Sequence, residues 1–357
     1  MIVFQDIVAA VGVVFDAVTQ AIMAMSFGFA MVPTAIAYAI GIVGCLAYGS
    51  VLPISMQAET IALAGTMGKD IRERLSMVMY AGFSMAILGG FGILQKITDF
   101  AGNSVVSGMM AGVGIILTKV SIDMVKESKL TGVVSMVVGI LIYVFTQDLV
   151  YTIVGCVVVA SAVSYFKNGK VEVPASASER KLRIHKPIVN FNVVRGTLAL
   201  ICLTVGANIA FGGITAEMAG ATANVDGLSV YSGLADAFSS LFGGAPVEAI
   251  ISPTAAAPNP MWSGIILMGL MVIILATGLL PKVAKFIPAQ SIAGFLFVLG
   301  AVVTVPGNAF SAFNGADTTG VLSGGVAMAV TAVSDPFLGM LAGIIVKLIT
   351  VPLGLAF

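Results

Sequence analysis

Two carboxylates stand where carboxylates are costly. Asp16, in Val14-Phe15-Asp16-Ala17, falls about nine residues into an apolar first segment, close to mid-depth at 1.5 Å per residue. Glu59 falls inside PISMQAETIALAG, the stretch from Pro53 to Gly65. An ionised acid at that depth must face a cavity or a partner. No Lys or Arg lies at matching depth except Lys347, near the end of the last apolar run. A carboxylate accepts two N–H bonds in parallel when ionised, and it carries a proton when neutral. Asp16 and Glu59 are therefore candidates both for substrate binding and for proton coupling. The structural alternative is a protonated acid bonded to nearby backbone. Gln57 and Thr60 flank Glu59, and Ser252 and Thr254 lie in a second stretch, PVEAIISPTAAAP, from Pro246 to Pro258. These four supply side-chain contacts and freed N–H groups at the starts of two half-helices. Asn208 takes the place of Asp16 in the second half, and Gln20, one turn beyond Asp16, can orient it. Glu248 reads as a strand end near a surface; Asp236, Asp226, Glu217 and Asp317 read as interfacial.

The elements that must position these groups follow from composition. The chain has 357 residues, 59% hydrophobic and only 10% charged, with a mean hydropathy of +1.08. Soluble domains carry about 25% charged residues, so the expectation is an all-α polytopic membrane protein. Apolar segments fall near 7–30, 35–50, 53–68, 75–95, 103–121, 131–146 and 148–166, and, after a polar joint, near 193–214, 228–243, 246–259, 261–280, 288–305, 319–334 and 336–354. Segments three and ten each open on a proline, run extended, then turn small and helical, which predicts a short strand plus a half-helix in both. Lipid cannot satisfy such broken backbone, so it lines a polar cavity or is buried in protein. Paired broken segments in two halves point to a transporter's binding site.

An internal repeat supports the division. Leu94-Gln95-Lys96, Phe100, Gly108, Gly114 and Thr118 recur as Leu280-Pro281-Lys282, Phe286, Gly294, Gly300 and Thr304. Thr131-Gly132-Val133-Val134-Ser135 recurs at nearly the same displacement as Thr319-Gly320-Val321-Leu322-Ser323. Fourteen transmembrane segments in a 7+7 inverted repeat are expected: 1–166, a basic cytoplasmic linker 167–192, and 193–357. If the N-terminus is outside, every Lys and Arg except Lys96 and Lys347 faces the cytoplasm. Both termini are therefore expected to be extracytoplasmic, in a bacterial plasma membrane, with no cleavable signal.

Seven plus seven inverted segments, with a strand and half-helix at three and ten, resemble the nucleobase–ascorbate permeases (nucleobase:cation symporters). The sulfate-permease-like and bicarbonate anion transporters share that architecture. Pro53 with Glu59 six residues later looks like that family's tenth segment, and Asp16 stands for its eighth-segment acid; Ser252 and Pro258 look like its third. The resemblance thus implies two halves in swapped order. It also implies a core of segments 1–4 and 8–11 sliding against a gate of segments 5–7 and 12–14, and a homodimer. Proton-coupled uptake of a purine or pyrimidine nucleobase is the expected function, with anion transport as the alternative. No enzymatic activity and no cofactor are expected beyond a coupling ion, H+ or Na+. Membrane lipid is the surrounding partner, and zero net charge suggests no nucleic acid. Cys45, Cys156, Cys202 and His185 have no metal-ligand spacing.

Overall fold

The computed structural model describes residues 3–170, 182–278 and 280–353. Residues 171–181 of the basic linker and the last residue of the final segment lie outside the described residues. The first half contains α1 (Phe4–Ser26), α2 (Met31–Tyr48), a two-residue strand β1 (Ile54–Ser55) and α3 (Ala58–Met67). It continues with α4 (Ile71–Gly90), α5 (Leu94–Ala101), α6 (Asn103–Glu127), α7 (Lys129–Thr146) and α8 (Leu149–Asn168). The second half contains α9 (Phe191–Met218), α10 (Val225–Leu241), strand β2 (Glu248–Ala249), a 3-10 turn (Pro253–Ala256), α11 (Pro260–Ala276) and α12 (Leu280–Ala284). An unbroken helical run from Ala289 to Phe313 follows, ending in α13 (Ala293–Phe297), a widened π turn (Val298–Thr304) and α14 (Val305–Phe313). The chain closes with α15 (Thr318–Val333) and α16 (Pro336–Leu353). Among the described residues, seven helices are long and apolar enough to cross a membrane, with three shorter apolar helices beside them. The chain is a multi-pass integral membrane protein.

Local chemistry sets the helix boundaries. Asp70 Oδ1 accepts from Glu73 N at 2.9 Å while Glu73 Oε2 accepts from Lys69 N at 2.9 Å, a reciprocal cap that starts α4. Asn190, Asn224, Asp317 and Asp335 cap α9, α10, α15 and α16 in the simpler way. Pro306, which has no N–H for the carbonyl four residues back, follows the π turn.

Packing sorts the helices into two groups. α4 lies along α10, and α2, α9, α11, α1 and α3 gather around that pair. α6 lies along α15 and the 289–313 run, with α7, α8 and α16 completing the second group. Apolar helices in lipid gain little from hydrophobicity and associate by close packing of small residues. A Cβ on Gly82 would stand 2.5 Å from the Gly233 carbonyl, and one on Gly114 3.0 Å from the Gly300 carbonyl. The groups touch where α16 meets α9, α8 meets α1 and α6 meets α3.

Two expectations change. Segment ten carries a strand but no half-helix: beyond β2 there is only the single turn Pro253–Ala256. Ala257, held extended at φ −72° and ψ 157° as a residue before proline must be, ends it. The sequence reading also missed α5, a short helix lying between segments four and five.

Candidate functional site

The two broken segments meet. β1 and β2 pair antiparallel, Ile54 opposite Ala249 and Ser55 opposite Glu248. So short a ladder leaves much backbone unpaired, and side chains from the surrounding helices take it up. Met56 N donates to the Tyr38 hydroxyl at 3.2 Å, and Tyr38 shares a 2.9 Å hydrogen bond with Ser55 Oγ. Tyr231 donates to the Leu52 carbonyl at 2.6 Å, Ala245 N donates to Thr34 Oγ1 at 2.8 Å, and Val247 N donates to Asp236 Oδ1 at 2.6 Å.

Around this crossing stand four carboxyl groups. Glu59 lies in the first turn of α3 and is buried. Thr60, its neighbour, donates its hydroxyl to Glu248 Oε1, joining the two broken segments. Glu248 is fully buried and lies within electrostatic reach of both Glu59 and Asp236. Asp16, half-buried on α1, accepts from Gln20 Nε2 at 2.8 Å and lies within reach of Glu59 and Tyr38. Glu248 is thus no surface group and Asp236 no interfacial one. The pairing of β2 with β1 carries the first into the middle of the protein, and the second holds the backbone that enters β2.

The remaining candidates divide. Gln57 caps α3 through its extended backbone, with its side chain half-buried and making no capping bond. Asn208 is fully buried but works on the frame: it donates to Ser229 Oγ at 2.8 Å and accepts from Ala249 N at 3.4 Å. Ser252 and Thr254 are buried and bonded to each other at 2.6 Å, with Ser252 N donating to Thr215 Oγ1. Their polar atoms are spent locally rather than offered to a ligand. Replacing Asn208 with alanine strands two buried groups, so a loss of about 1–3 kcal/mol is expected. A lowered Tm in detergent would show it, and an unchanged Tm would remove Asn208 from the frame.

On α9, the face bearing Asn208 turns to α10 and β2. Gly206, Ile209 and Ala210 turn instead to a cavity of about 390 Å³ between the two helix groups. Asp99, Asn103, Ser107 and Asn308 give it polar walls. One further residue escaped the sequence reading. Asp335 is fully buried and bound by Arg195 Nε at 2.6 Å, an ion pair from α16 to α9 that joins the two groups.

This geometry has relatives among solved structures. The transmembrane domain of a cyanobacterium bicarbonate transporter, BicA, superposes with a TM-score of 0.67 at 14% identity, over 96% of this chain and 98% of that one. The murine Solute Carrier 26 family member A9 anion transporter, in its inward-facing state, gives 0.71 at 15% identity, over 99% of this chain and 69% of that one. The chain shares their fold. No protein-family model and no curated protein matches the sequence. The sulfate-permease-like side of the expected resemblance fits these neighbours; none of the structures named here is a nucleobase permease.

Proposed function

We propose that this protein is a secondary active transporter that carries a small anion together with a proton, and that it is not an enzyme. Glu59 at the start of α3 is the observation that carries the reading. A helix N-terminus holds roughly half a positive charge. An ionised Glu59 overrides it and repels an anion; a protonated Glu59 leaves the positive end exposed. The same residue then answers the objection that an acid-lined site rejects anions, because the anion follows the proton in. The fold's neighbours are named as bicarbonate and anion transporters, which supports the substrate class. In this proposal the group around α4 and α10 is the moving core, the group around α6 and α15 is the gate, and the 390 Å³ cavity lies on the route between them. Inverted repeats of seven segments, a homodimer and extracytoplasmic termini belong to the same proposal.

Nucleobase uptake is the second reading. It is favoured by Glu59 Oε2 and Glu248 Oε2, buried acceptors without a hydrogen-bond partner that would suit the N–H edge of a base. Proteoliposomes carrying an acid-outside gradient and offered labelled bicarbonate, sulfate or uracil separate the two. Saturable anion uptake that collapses with the gradient is expected. Glu59→Gln, neutral at every pH, should keep anion binding but lower the gradient-driven uptake at least about tenfold, equivalent to about 1.4 kcal/mol. Uracil uptake with inert anions would transfer the assignment to the second reading.

A further inference from the structure

We propose that Glu59 and Glu248 form one proton-binding site, a carboxyl–carboxylate pair built across the two broken segments that holds the transported proton between them. The inference rests on the transport reading for its purpose, but not for its geometry. Each residue comes from a different half of the chain, and the pairing of Ser55 with Glu248 brings them together. Glu59 is 3% exposed and Glu248 not at all, and each keeps one oxygen, Oε2, without a hydrogen-bond partner. Such atoms are rare in buried sites and need an explanation. Thr60 bonds the other oxygen of Glu248, which fixes that carboxyl and leaves Oε2 as its free end.

Among the described residues, the surroundings show no compensating cation. Asp16 approaches from α1, Tyr38 from α2, Thr204 and Asn208 from α9, and Asp236 from α10. All are acidic or neutral. Arg195 is bound to Asp335, and Lys347 donates to the Phe100 and Ala101 carbonyls at 2.8 and 3.2 Å. Two neighbouring carboxylates in such a place cannot both be ionised, so one proton resides on the pair. A proton needs only one oxygen from each acid, and Oε2 is the oxygen that each leaves without a hydrogen bond. The proton arrives as H+ from one side, makes an O–H bond on either glutamate, and departs as H+ to the other side, so charge and atoms balance.

Infrared spectroscopy of the purified protein in liposomes tests this without a substrate. At neutral pH the wild type should show a carboxylic-acid C=O band that fades as pH rises. Glu59→Gln should remove one component of it, because the glutamine amide donates to Glu248 and lets it ionise. Glu248→Gln should remove the same component, and the double variant should remove nothing more. Thr60→Val, which withdraws the hydroxyl from Glu248, should move that component's titration to higher pH. Two separate components lost additively, or a band indifferent to both glutamines in monodisperse protein, would overturn the shared site. A glutamine effect on the band with no transport of any anion or base would instead reject the transport reading and leave the pair standing.

Discussion

Protein carrying Gly108→Leu is expected to lose about 3 kcal/mol or more of stability and to accumulate poorly in the membrane. A Cβ at Gly108 would meet the backbone of Gly324 on α15, with its carbonyl carbon at 2.8 Å and its Cα at 2.9 Å. Backbone cannot rotate aside as a side chain can, so α6 and α15 would have to separate along their whole contact. Overpacking of a close interface costs about 1–3 kcal/mol for smaller intrusions than a leucine, and small residues at such crossings are what hold membrane helices together. Gly90→Ala is the control, since nothing lies within 4 Å of a Cβ there. Heating detergent-solubilised protein and following the surviving monodisperse fraction compares them. Equal midpoints for the two variants would refute the packing account.

The second large effect is expected at Arg195. Among the described residues, Arg195→Met leaves Asp335, fully buried, with the Leu338 N–H and the Ser334 hydroxyl for partners. Removing one member of a buried ion pair costs about 3–5 kcal/mol. Because the Arg195 side chain is 39% exposed, water screens part of the pair and about 2–3 kcal/mol is expected. Arg195→Met with Asp335→Asn should recover most of that, because the stranded charge is gone. A double variant as unstable as the single one would show that packing of the arginine stem, not charge, holds α9 to α16.

Much of this was legible in the chain. The prolines at 53 and 246 announced broken backbone, since each removes a donor and fixes an extended entry. Gly108 and Gly114, two of the repeated positions, sit with Gly112 against α15 and the 289–313 run, where small residues let backbones approach. Burial was harder to read. Glu248 lies two residues after its proline, as Ser55 does after its own, so the repeat already set the two in register. Nothing local says that the strands face each other, and without that pairing Glu248 looks like a loop acid. The missing half-helix was readable in principle from Pro253, Pro258 and Pro260, which leave no room for more than one turn. Asp335 was hidden for another reason: its arginine is 140 positions away in sequence, at the start of the eighth segment.

The unequal ends of the two broken segments have an electrical consequence. α3 runs ten residues and gathers a full dipole at its start, whereas the turn Pro253–Ala256 spans four and gathers almost none. The field across the crossing is therefore lopsided: its positive end stands on the first half of the chain, beside Glu59, with no counterpart of equal strength on the second.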